Sequence, residues 1–215
     1  MSRHGRRAAA WTTLVAGLSA LAVGLVLFLR PAALPADAGV LPPPGEAPAA
    51  TPSAPAPSAP AAGRTTAPLW TPDTITIRSF GVRAPVDAVG VADGGALDVP
   101  GDPGRLGWWI GSALPGDRRG TVLIAGHVDT AEDGRGALYR LEALPMGAPI
   151  EVRAGDRTIA YRVTARRSYL KEQLPEELFR RGGAARLALV TCGGAFRHGT
   201  YDHNVVVWAT PVSSP

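Results

Sequence analysis

Along the chain the first strong pattern is an uncharged apolar run from Ala8 to Leu29, with Arg3, Arg6 and Arg7 before it and Arg30 after it. Its 22 residues, at about 1.5 Å rise each, match a bilayer core of roughly 30 Å and predict a transmembrane helix. A cleaved secretory signal carries a shorter apolar segment of about 7–15 residues. Although Ala36-Asp37-Ala38 offers small residues to a signal peptidase, the run therefore reads as an uncleaved signal anchor. The basic cluster places the N-terminus in the cytoplasm and the rest of the chain outside the cell membrane.

After Leu69 the pattern changes to short alternating or continuously apolar runs, which predict strands. These are Asp73 to Arg78, Val82 to Val89, Ala96 to Val99, Thr121 to Ala125, Pro149 to Arg153, Arg157 to Ser168, Arg186 to Thr191 and His203 to Ala209. Gly155-Asp156 sits between two of them as a hairpin turn would. Only Ala137 to Leu144 and Pro175 to Phe179 read as short helices, the second with proline near its first turn and acids beside it. This balance predicts a mostly β domain, either a small closed barrel or a sandwich.

Composition divides the chain into three parts: a basic tail and anchor at 1–30, a linker at 31–68 and a folded domain at 69–215. The linker holds 11 of the 21 prolines in 38 residues. Such a segment buries too little apolar surface to offset its chain entropy, so a disordered spacer is expected, with a reach of up to roughly 120 Å. The formal net charge of +4 equals the four arginines of residues 1–30, leaving 18 basic and 18 acidic residues beyond them. The high pI therefore gives no support to nucleic-acid binding, which needs a basic face on the folded part, and no nucleic-acid partner is expected.

The candidate chemistry lies at two strand ends. Cys192, the only cysteine, ends the run Leu187-Ala188-Leu189-Val190-Thr191 and is followed by Gly193-Gly194. His127 follows Thr121-Val122-Leu123-Ile124-Ala125-Gly126 in the same way. A thiol attacks as its thiolate, and a neighbouring imidazole can take or supply the proton. Each residue also has a plain structural reading: a free cysteine is often core, a histidine can cap a turn, and Asp129 either forms a turn or orients His127. The offsets of His198 and His203 from Cys192 match no common zinc pattern, so no metal is expected.

Taken in order, Ile75-Thr76-Ile77, Gly107-Trp108-Trp109, Pro115-Gly116-Asp117, Ala125-Gly126-His127-Val128-Asp129, Val190-Thr191-Cys192-Gly193-Gly194 and Asn204-Val205-Val206-Val207 resemble the sortases. They are most similar to the class F group of actinobacteria, and the alanine- and arginine-rich composition fits such a source. The resemblance implies a closed eight-stranded β-barrel with one or two short helices. It also implies a cysteine transpeptidase without cofactor, with Cys192 as nucleophile and His127 as proton carrier. Its partners would be secreted proteins bearing a C-terminal LPXTG-like sorting signal and an amine from a peptidoglycan precursor or another protein. Asp129, Thr191, Gly193 and Asn204 would bind substrate or support the site.

In one place the chain departs from that pattern. The arginine that sortases set opposite the cysteine is expected two residues before Asn204, where this sequence has Asp202. The segment between Cys192 and Asn204 is also about two residues short. Arg197, on the loop expected there, is the nearest replacement. Two functions follow: an active transpeptidase, or a sortase-fold protein that has lost catalysis and only binds sorting signals or wall components.

Overall fold

A computed structural model describes residues 36–41 and 70–212. The expected transmembrane helix at 8–29 lies outside the described residues, as does most of the expected spacer. Among the described residues eleven strands form: β1 (Ala38–Gly39), β2 (Thr74–Ile77), β3 (Val82–Val89), β4 (Leu106–Trp109), β5 (Thr121–Ala125), β6 (Asp129–Thr130), β7 (Gly134–Arg135), β8 (Pro149–Ala154), β9 (Arg157–Leu170), β10 (Arg186–Arg197) and β11 (Thr200–Pro211).

Eight of them close on themselves in the order β9-β11-β10-β5-β4-β3-β2-β8, because β8 pairs with both β2 and β9. Closure resolves the choice between sandwich and barrel and leaves few open edges. The neighbours β3/β4 and β5/β10 run parallel, and the remaining pairs are antiparallel. Alternation then sorts the side chains. Ile75, Leu106, Ile124, Ile150, Val163, Leu189 and Val207 face a common interior. Leu123, Ala125, Ala165, Ala188, Val190, Val206 and Trp208 build a second cluster on the outside of β5, β9, β10 and β11. Leu174, Leu178 and Leu41 cover that outer cluster.

Several elements differ from the sequence reading. Both expected helices are single 3₁₀ turns, Leu141–Ala143 and Glu176–Phe179. Pro145 and Pro175 leave too few residues between them and the neighbouring strands to offset helix nucleation. Ala96 to Val99 is not a strand; Leu97 only bridges Val91 across the Asp93-Gly94-Gly95 turn. Conversely, Leu106–Trp109 is a barrel strand that its glycine and short length concealed.

The most consequential difference falls inside the stretch expected as spacer. Residues 36–41 lie along β9 as a strap, with Ala38 paired to Arg166 and Gly39 to Ala165. They take the edge that β8 leaves open after Arg162. Arg167 donates to the carbonyls of Ala38 (2.6 Å) and Gly39 (3.0 Å), and Asp37 accepts the Ser168 N–H at 3.0 Å. Gly39 has φ 74°, and a Cβ there would stand 2.0 Å from the Thr164 carbonyl oxygen. Only glycine fits so near a neighbouring backbone.

Candidate active site

The parallel pair β5/β10 fixes the relation between the two sequence motifs. Val190 is in register with Ala125, the Gly126 N–H donates to the Val190 carbonyl at 3.0 Å, and the Thr191 hydroxyl donates to the Gly126 carbonyl at 2.9 Å. One residue further on each chain stand His127 and Cys192. Adjacent strands lie about 4.8 Å apart, so the two residues leave neighbouring strand ends. Alternation within β10 puts Cys192 on the face of Ala188 and Val190, the outer one, and His127 follows the end of β5 by two residues. Both are half-buried, within the protein wall yet reachable.

Thr191 is 4% exposed, and its hydroxyl clamps the two strand ends rather than facing substrate. Gly193 is buried in β10 opposite His203. The Gly136 N–H donates to the Val128 carbonyl at 2.9 Å, which holds the segment after His127 against the chain entering the Leu138 turn. Among the described residues, neither ring nitrogen of His127 has a hydrogen-bond partner.

Asp129 is occupied elsewhere. The Tyr201 hydroxyl, from β11, reaches its two carboxylate oxygens at 3.0 and 2.9 Å. Burial, reinforced by this bond and by the charges of Asp129 and Cys192, pushes the Tyr201 phenol up to about 12. A phenol that stays protonated is a steady donor. It ties the segment following His127 to the strand opposite Cys192. Sequence reasoning missed Tyr201; its only signal was its place beside Asp202.

Between Cys192 and Asn204 the chain is not a loop. β10 continues to Arg197 and turns through His198 (φ 52°) and Gly199 (φ 81°) into β11. Two central residues at positive φ make the turn whose twist suits a hairpin. An irregularity in register between Gly193 and Phe196 absorbs one extra residue on β10. Arg197 therefore sits at the exposed tip, roughly 13–16 Å along the strand from Cys192 at about 3.3 Å per residue. Among the described residues it has no ion pair.

Asp202, at the position expected for arginine, turns to the hairpin itself. It lies 2.7 Å from Nδ1 of His203 and accepts the Ala195 N–H at 2.9 Å. The His203 contact, helped by that N–H, holds its carboxyl below the usual carboxylate range. Asn204 is the direct cross-strand partner of Cys192.

Several solved structures share this architecture. Sortase A from Corynebacterium diphtheriae superposes with a TM-score of 0.50 at 23% identity, over 66% of this chain and 60% of that one. Sortase C-1 from Actinomyces oris gives 0.52 at 21%, over 66% and 73%. Sortase E1 from Streptomyces coelicolor, solved with a tripeptide in the active site, gives 0.51 at 20%, over 68% and 91%. The chain thus spans about 60% of the length of the C. diphtheriae protein, and at these identities the likeness is one of fold. No curated protein matches the sequence. The model of the sortase domain matches residues 75–212, a stretch that begins in β2, ends just past β11 and contains both His127 and Cys192. The chain belongs to the sortase family of cysteine transpeptidases.

Proposed function

We propose that this protein is an active, membrane-anchored sortase that cleaves an LPXTG-like sorting signal and passes the acyl group to an amine of the cell wall or of another protein. The observation that carries the reading is the parallel pairing of β5 with β10, whose neighbouring ends lead into His127 and Cys192, both half-buried. The Cys192 thiolate attacks the carbonyl carbon of the scissile bond, and the carbonyl electron pair moves onto oxygen. As the carbonyl reforms, the C–N bond breaks and a proton carried by His127 goes to the departing amine nitrogen, leaving a thioester on Cys192. The accepting amine then attacks that thioester, gives its proton back to His127 and releases the thiolate. Positioned proton transfer of this kind contributes about 10²–10⁴ in rate, and the thioester divides one difficult exchange into two easier ones.

The run 8–29 is the proposed anchor, with the N-terminus cytoplasmic and the barrel outside. Within the family the Cys192-Gly193-Gly194 and Asn204-Val205-Val206-Val207 stretches support placement in class F. A second reading, a barrel that binds sorting signals without turning them over, draws on Asp202 in place of arginine.

Mass spectrometry after incubation with an LPXTG-like peptide separates the two. A covalent adduct on Cys192, lost in Cys192→Ala, is expected; its absence from the wild type supports the binding-only reading.

A further inference from the structure

We propose that Asn204 is a catalytic residue whose side-chain amide donates a hydrogen bond to the substrate carbonyl oxygen as that oxygen gains charge. The inference rests on the transpeptidase reading. Residues directly opposite in an antiparallel pair share a face, with Cβ atoms about 4.5–5.5 Å apart. Cys192 and Asn204 are such a pair, so the amide arises beside the sulfur, across from the strand that bears His127. A carbonyl attacked by that sulfur lies between the two.

The amide is free for the task. Asn204 is half-buried, carries two N–H donors, and among the described residues its side chain makes no hydrogen bond. Its competitors are engaged or remote. Asp202, two residues along the same face, is an acceptor held by Ala195 and His203. Arg197 occupies the hairpin tip. Arg167 shares the face through Val206, its partner in register, but its guanidinium is spent on the carbonyls of Ala38, Gly39 and Arg166. A neutral amide also leaves the balance of the covalent step unchanged: the oxyanion forms, receives one N–H bond, and collapses as the leaving amine takes its proton from His127.

The test is single-turnover acylation by an LPXTG-like peptide, followed as thioester on Cys192. Loss of one oxyanion donor lowers the rate by about 10²–10³. Asn204→Ala is therefore expected to form thioester at least a hundredfold more slowly, with KM changed less than about threefold and the thermal midpoint kept. Asn204→Asp retains the shape while replacing the donor by an acceptor, and is expected to be as slow; it gives the answer if the alanine variant unfolds. A folded variant acylating within threefold of wild type overturns the assignment of Asn204 alone. A wild type that forms no thioester overturns the transpeptidase reading and this inference with it.

Discussion

A Cβ on Gly194 would stand 2.2 Å from Oδ1 of Asp202. With its φ of 82°, this residue lets β10 bulge just past Cys192 while the Asp202 carboxylate reaches the Ala195 N–H. The position expected for arginine is thus part of a hairpin lock. Gly194→Ala sets a side chain against that carboxylate in a conformation that L-residues disfavour, and is expected to cost about 1–3 kcal/mol. Urea unfolding measures it; an unchanged midpoint would show that the hairpin does not depend on this contact.

Thr191 joins the ends of β5 and β10 through its bond to the Gly126 carbonyl. Thr191→Val keeps the shape but leaves a buried acceptor unpaired, which costs about 1–3 kcal/mol. Stability and turnover should fall together, and Thr191→Ser should restore most of both. Turnover lost at full stability would instead place the hydroxyl at the substrate.

Three of the four tyrosines should ionise late in an alkaline titration followed by phenolate absorbance: Tyr169, raised mainly by burial, and, latest, Tyr161 and Tyr201. Burial lifts Tyr161 to about 12, and Tyr201, also mainly through burial, reaches about the same value. An unfolded tyrosine titrates near 10. Because the folded values are raised, the stability tied to these protons is complete below about pH 10 and drains away as pH climbs toward 12. Tyr201→Phe should remove one late titration and loosen the hold on Asp129.

Arg167→Ala removes the side chain that grips the strap through the carbonyls of Ala38 and Gly39. Hydrogen bonds to charged groups contribute about 1.5–3 kcal/mol. The substitution should therefore expose residues 36–41 to limited proteolysis while the barrel stays intact. Equal protection in variant and wild type would show that backbone pairing alone keeps the strap in place.

Arg197→Ala should leave turnover within about threefold, since the hairpin carries the guanidinium away from the thiol. A hundredfold loss, the scale of one oxyanion donor, would put Arg197 back over the site.

Much of the barrel was legible because the period-2 runs of β2, β3, β8 and β9 bury alternate residues, while β5 is a short, continuously apolar run buried throughout and bounded by glycine. The strands that lead into His127 and Cys192 were legible only as two like strand ends; the parallel register that joins β5 to β10 is a long-range pairing that no local pattern encodes. β4 was missed because four residues with an internal glycine carry little periodicity. Arg197 was placed by counting residues across an assumed loop. The positive φ of His198 and Gly199 turns the same residues into a paired hairpin whose tip holds Arg197, five residues beyond Cys192. Tyr201 and Asp129 are 72 positions apart, and only the closed barrel brings them together.

The strap changes what counts as the whole domain. A chain cut to begin at Trp70 keeps every strand of the closed barrel, yet strips Ala38 and Gly39 from β9 and leaves the Arg167 guanidinium without the two strap carbonyls it holds. Leu41 goes with them, and with it part of the cover over the cluster around Trp208. A boundary drawn where the alternating pattern begins in the sequence would thus produce a barrel with one edge bare.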